Sequence, residues 1–438
     1  MRPPTSSTPW IRQALKTSKR SRDYLFYLTG AAAVTTVSML FAKLADVSLH
    51  LNQLIFGAHP WLVWIMLPLG LPAIRWATQR WAPQSAGSGI PHTLAALQMP
   101  SAQIPASGFL SMTQGLLKVA LVCLGLIFGA SIGREGPSVQ VGAAAMLFWA
   151  AAMDRVMGRQ LRIPTSTIII AGAAGGLAAA FNTPLAGIVF AMEELSHGIR
   201  VRASWFLLAS ILCAGFISLA VLGNYRFFPV AEHQPFADPW SWVLACGVVN
   251  GLLGGLFAHR LLLVLPRVLP KTASKTRGLV FAGLMGLLIA ALAWFSQGAT
   301  LGTGYQSAHA LLNGQPLGND WFGAGKFLAT VFSYAAGIPG GIFTPSLAIG
   351  AGVGQHIGLL FPGHAPMQIL VLLSMTAFLA AATQAPITAC VIVMEMTQSQ
   401  DAFLYLMAAA LLASVCSKLA HPEPFYRATA RRLSAPRH

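Results

Sequence analysis

The amino-acid sequence predicts an all-α polytopic membrane protein: two structurally related halves of inverted topology, with many short, broken and tilted helices. Three observations lead there. Hydrophobic residues make up 55% of the 438 residues and charged residues only 9%, the apolar stretches are cut by glycine and proline, and the chain repeats part of itself. Soluble domains carry charge on roughly a quarter of their residues, so this chain has too little charge to cover a water-facing surface. Runs such as Trp205 to Gly223, Trp240 to Leu265 and Gly278 to Phe295 can each cross a hydrocarbon layer of roughly 30 Å as a helix.

The expected organisation follows the chain. A basic N-terminal tail covers residues 1–23, a membrane domain covers 24–420 with halves of about 24–223 and 240–420, and a short tail covers 421–438. The formal net charge of +16 suggests a nucleic-acid partner only until the basic residues are placed. Arg12, Lys16, Lys19, Arg20 and Arg22 precede the first apolar run, and Arg427, Arg431, Arg432 and Arg437 follow the last. Arg155, Arg159 and Arg162 share one connection, and Arg267, Lys271, Lys275 and Arg277 another. That is the positive-inside pattern, so both termini are expected in the cytoplasm and no nucleic acid is expected as a partner. The connection from Asn224 to Pro239 sets Glu232 and Asp238 against Arg226 and is expected outside.

No short apolar core with a small-residue cleavage site follows the basic start, so a removable leader is not expected. The five cysteines stand singly in apolar runs and the eleven histidines are dispersed, with no HExxH. Neither a metal site nor a cofactor is expected, and no nucleophile–base pair suggests an enzyme.

Many apolar stretches are too short to span. Thr167 to Phe181 and Leu185 to Leu195 are separated by Asn182-Thr183-Pro184, and the second covers about 16 Å as a helix. Broken helices at membrane depth are tolerated only where the backbone lines a protein-enclosed cavity or pathway. The repeat lies at the same place. LAAAFNTPLAGIVFAMEE from Leu177 and LAAATQAPITACVIVMEM from Leu379 agree at eight of eighteen positions at an offset of 202, including Pro184 with Pro386 and Glu193 with Glu395. Duplicated transporters place their sites between repeats, among such broken helices.

Of the six glutamates, Glu135, Glu193, Glu194 and Glu395 lie in apolar or glycine-rich sequence, where a carboxylate is costly and usually functional. Glu193 and Glu395 are first expected to bond the ends of broken helices. Glu194, which the second repeat replaces with Met396, is expected to carry a function. Three further motifs share a design: Gly87-Ser88-Gly89-Ile90-Pro91, Gly133-Arg134-Glu135-Gly136-Pro137 and Gly341-Ile342-Phe343-Thr344-Pro345. Proline suits the first turn of a helix and the preceding glycines permit close approach. The expected product is a set of helix N-termini inside the membrane, whose N–H groups and dipoles attract anions.

In this order, with AFNTPLAGIVFAMEE after the second motif, the sequence resembles the CLC chloride channel and transporter family from Gly87 to Tyr426. The resemblance implies a homodimer in a lipid bilayer, placed in a bacterial inner (plasma) membrane, with one anion pathway per subunit. It implies chloride transport as a proton/chloride exchanger, with a passive voltage- or pH-gated channel as the alternative. Ser88 and Tyr426, the latter through Pro424-Phe425-Tyr426, map onto the central anion ligands. The amides of Ile342 and Phe343 join them, with Arg134 and Gly136 beside them. Glu135 takes the family's gate position, Glu194 its inner proton-transfer position, and Glu193 would support that route. Fluoride-preferring members depart from the first two motifs, so Ser88 and Pro137 favour chloride.

Overall fold

The computed structural model describes residues 9–104, 108–157, 163–196, 205–223, 227–230, 239–268 and 275–434. The first eight helices are α1 (Pro9–Ala58), α2 (Val63–Trp81), α3 (Ile90–Leu97), α4 (Met112–Ile127), α5 (Glu135–Met157), α6 (Thr165–Phe181), α7 (Pro184–Phe190, continued by a π turn over Ala191–Leu195) and α8 (Trp205–Leu222). The next eight are α9 (Pro239–Val268), α10 (Lys275–Phe295), α11 (Tyr305–Leu312), α12 (Phe322–Ala335), α13 (Phe343–Leu360), α14 (Met367–Thr383), α15 (Pro386–Thr397) and α16 (Phe403–Ala420). A last helix, α17 (Phe425–Ser434), ends the described chain.

Among the described residues there is no strand, only two isolated bridges, and six helical stretches are long and apolar enough to cross a bilayer. Large apolar side chains such as Leu40, Leu69, Phe148, Phe216, Val280 and Leu411 point outward. Lipid carries no penalty for such a surface, and helix association then depends on close packing of small residues. Gly142 on α5 packs against Gly172 and Gly176 on α6, and Gly350 on α13 against Ser374 on α14, so closely that a Cβ would strike the partner backbone.

The two sets of eight helices follow one another in the same order of long and short. The break between α6 and α7 uses Asn182 at φ 60° followed by Pro184, and that between α14 and α15 uses Gln384 at φ 57° followed by Pro386. A left-handed residue ends one helix and a proline at the first turn starts the next. A second register joins the halves upstream, at an offset of 208. Gly115, Lys118, Gly129, Gly133, Pro137 and Ser138 recur as Gly323, Lys326, Gly337, Gly341, Pro345 and Ser346. Both lysines are fully buried.

The halves meet through a reciprocal pair of caps. Glu395 at the end of α15 accepts from the N–H groups of Leu185 (3.1 Å) and Ala186 (2.7 Å) at the start of α7. Glu193 at the end of α7 accepts from Ile387 (3.1 Å) and Thr388 (2.6 Å) at the start of α15. Each helix start lies beside the other's end, so the two run antiparallel about a two-fold axis, as inverted halves require. The sequence-based expectation of a bonding role for these two glutamates matches this geometry. Each carboxylate meets two N–H groups that helix geometry leaves without acceptors.

Helices reach into both of the expected tails. Helix α1 begins at Pro9, inside the expected basic tail, and α17 lies within the expected C-terminal tail with Phe425, Tyr426, Ala428, Thr429 and Ala430 buried. Arg159, Arg162, Arg226, Glu232, Asp238, Lys271 and Arg437 lie outside the described residues.

The caps generate a prediction about stability. Glu395→Ala and Glu193→Ala should each destabilise the detergent-solubilised protein by about 1–2 kcal/mol, the range of an N-cap with a favourable dipole interaction. Glutamine retains an acceptor oxygen and should cost less. Thermal unfolding checks this, and parent-like midpoints for both alanine variants would remove the caps from the account.

Candidate functional site

The three glycine motifs converge because their backbones bond to one another. Gly133 N–H donates to the Gly341 carbonyl and Gly341 N–H returns the bond to Gly133, both at 2.7 Å. Gly87 N–H donates to Ile338 and Gly340 N–H to Gly87, both at 3.1 Å. The segment 338–341 therefore lies between the other two loops. The helices that follow, α3, α5 and α13, all start at this place. Their first-turn N–H groups, those of Ile342 and Phe343 among them, lie where no intrahelical acceptor exists.

Two glycines make room for two side chains. A Cβ on Gly136 would overlap the Ser88 hydroxyl, and one on Gly133 would overlap the Glu135 carboxylate. Ser88 thus lies on the backbone of the second motif, next to Glu135. The Glu135 carboxylate, itself buried, reaches across to the start of α13. It accepts from the Thr344 hydroxyl and, at 3.4 Å, from the Thr344 N–H.

Tyr426, at the start of α17, is 1% exposed and comes close to Ser88. Neither hydroxyl completes a hydrogen bond among the described residues. Buried hydroxyls rarely go without a partner, so a pair of facing donors beside a cluster of helix N-termini suits a small anion. The Tyr426 hydroxyl is also within electrostatic range of both Glu135 and Glu194.

The remaining expected residues are placed differently from one another. Arg134 turns its side chain away from Ser88. Its Nη1 donates to the Ala42 carbonyl (2.6 Å) and to Asp46 (2.5 Å), both on α1. At the cluster, Arg134 is represented by its backbone. Glu194 is 2% exposed, and its Oε1 has no hydrogen-bond partner among the described residues. Glu193 commits both oxygens to the α15 cap. Arg427 donates to the Glu193 carbonyl at 3.5 Å and faces Glu194 electrostatically. Helix α17 therefore supplies a group to each carboxylate environment.

Several neighbours of these groups escaped the sequence reading. Thr344 stands in the third glycine motif, and the 208-residue register, which would have drawn attention to it, pairs it with Gly136. Lys326 Nζ donates to the carbonyls of Thr300 (2.9 Å), Leu301 (3.4 Å) and Gly302 (2.6 Å), fixing the loop before α11. Its counterpart Lys118 donates to Gln140 (2.6 Å), which lies against Gly89 of the first motif. Asp46 carries no motif at all. A cavity of about 380 Å³ opens from Glu135 and Thr344, lined also by Lys43, Asp46, Arg134 and Phe227.

Comparison with known proteins gives one consistent result. The family model described as "Voltage gated chloride channel" matches residues 70–418. The H(+)/Cl(-) exchange transporter ClcA of Cronobacter sakazakii is 30% identical over 458 residues, covering 97% of this chain and 93% of that protein. ClcA of Vibrio vulnificus is 29% identical over 399 residues, covering 84% of this chain and 79% of its own. Among solved structures, a slow cyanobacterial Cl-/H+ antiporter superposes with a TM-score of 0.78 at 25% identity, covering 94% of this chain and 97% of that one. A CLC-type fluoride/proton antiporter shares the fold at a TM-score of 0.72 and 22% identity, over 97% and 99% of the two chains. With a family model matched over most of its length and a relative aligned nearly end to end, this chain belongs to the CLC family of voltage-gated chloride channels.

Proposed function

We propose that this chain exchanges chloride for protons across a bacterial plasma membrane, as a homodimer with one pathway in each subunit and both termini in the cytoplasm. The observation that carries the reading is the Glu135 carboxylate. It occupies the N-terminus of α13, bonded to Thr344, in the cluster where an anion would bind. Ionised, it competes with the anion for the same donors. Protonated, it loses that attraction and can leave, so anion passage and proton binding exclude or permit each other at one residue. Names of the aligned relatives, both H(+)/Cl(-) exchange transporters, support the same substrates.

The roles divide as follows. Ser88 and Tyr426 give hydroxyl donors to chloride, and the first-turn amides of Ile342, Phe343 and Gly136 give N–H donors. Neutral donors suit a permeant ion, because binding must be weak enough to release it. Arg134 contributes through its backbone. Glu194 receives protons on the inner side: it is buried, its Oε1 is unbonded, and Tyr426 lies within range of it and of Glu135. Glu193 holds α15 in place and thereby shapes the surroundings of Glu194. Glu194 also favours exchange over the passive channel, which has no need of a buried inner carboxylate.

Three outcomes test the assignment. Glu135→Gln keeps the side-chain volume without the charge and should abolish proton coupling while chloride flux into liposomes persists or rises; chloride-driven proton pumping by this variant would contradict the gate. Ser88→Ala combined with Tyr426→Phe should weaken chloride binding by about 1.5–3 kcal/mol for each lost bond to the ion. Calorimetry reads that loss, and unchanged affinity would displace the site. Glu194→Gln should leave most chloride flux and remove proton movement, with Glu193→Gln acting mainly on stability. Full coupling in Glu194→Gln would move the relay to another residue.

A further inference from the structure

The mouth above Glu135 contains a carboxylate that the exchange cycle does not use. Asp46 on α1 lines the 380 Å³ cavity with Lys43, Arg134 and Glu135. It also lines an adjoining cavity of about 260 Å³ that adds His50. A negative charge repels anions where they must pass, unless it cancels a positive one. Here it meets Arg134, whose Nη1 lies 2.5 Å from Asp46 Oδ1. The same nitrogen bonds the Ala42 carbonyl at 2.6 Å, and the guanidinium lies 5.7 Å from the centre of the Phe227 ring. The arginine side chain is 5% exposed and the aspartate 62%, so a buried cation is held by a partner that faces the water of the mouth.

We propose that Asp46 is a positioning residue for anion passage. It fastens the Arg134 guanidinium to α1 and cancels its charge, and so sets how strongly the mouth draws chloride toward Glu135. Of the charged groups lining the larger cavity, Lys43 then stands alone against Glu135. An uncompensated guanidinium so near the cluster would hold an anion there, whereas passage requires that it also leave. The inference rests on the chloride reading above.

The test is Asp46→Asn in the reconstituted full chain. Asparagine preserves the shape and an oxygen for Arg134 but removes the charge. The chloride concentration for half-maximal flux should fall about threefold, the effect of one unit charge roughly 6 Å away in a water-like medium. The difference from the parent should shrink as a salt with an impermeant anion is added. Adding Lys43→Gln restores the net charge of the mouth and should return half-saturation toward the parent value. Lys43→Gln alone should raise it, which keeps the proposal testable if Asp46→Asn fails to fold.

An unchanged half-saturation in Asp46→Asn at low ionic strength overturns the proposal. So does a shift that salt does not alter, because it would make Asp46 only a structural tie, and so does Lys43→Gln with parent-like half-saturation. A parent chain inert toward chloride would contradict the function reading and this inference together; an active parent with unresponsive variants contradicts this inference alone.

Discussion

Four backbone hydrogen bonds, Gly133 with Gly341 in both directions and Gly87 with Ile338 and Gly340, hold the functional region together. They bring three loops close enough that three helices start at one point inside the protein. Glycine is required at Gly136 and Gly133 because any Cβ would displace Ser88 or Glu135. Gly87 and Gly89 adopt positive φ, which other residues reach only at a cost. In hydrocarbon, backbone of this kind survives only where protein encloses it. The surrounding helices, many too short to span, supply that enclosure.

The electrostatics follow from the same convergence. First-turn N–H groups and two facing hydroxyls favour an anion without committing a full positive charge to it. Two formal cations nearby are occupied elsewhere: Arg134 by Asp46 and Ala42, and Lys326 by three carbonyls of the loop before α11. In the proposed cycle a negative side chain competes there with a negative ion, and Glu135, bonded to Thr344 at the start of α13, takes that part. The reciprocal caps of Glu193 and Glu395 explain how two short helices hold their ends against each other, and they leave Glu194 as the uncommitted neighbour of Glu193.

Much of this was legible in the sequence. Composition indicated the membrane, the 202-residue repeat indicated the related halves, and proline after glycine marked the starts of α3, α5 and α13. The bonding role first expected for Glu193 and Glu395 depended only on a shared position at the end of a shared helix. Other features were hidden for physical reasons. Asp46 meets Arg134 from 88 residues away, and a single aspartate on an apolar helix shows no pattern. Arg134 was expected at the anion because its neighbours are there, yet successive side chains leave a backbone in different directions. Helix α17 has no apolar run to mark it, because arginines such as Arg431 and Arg432 occupy its exposed side. Its buried face, Phe425, Tyr426, Ala428, Thr429 and Ala430, is recognisable only once a partner surface exists. The second register is faint in the sequence because the matches named above, half of them glycines, are spread over two dozen residues.

In the proposed cycle chloride and protons move in opposite directions through one obligatory sequence of states, with Glu135 as their common gate. The most direct measurement is the reversal potential of the purified full chain in a planar bilayer, first under a chloride gradient and then under a pH gradient at equal chloride. Obligatory exchange gives a value between the chloride and proton equilibrium potentials, and a non-zero value under the pH gradient alone. A reversal potential that follows chloride at every pH would contradict it.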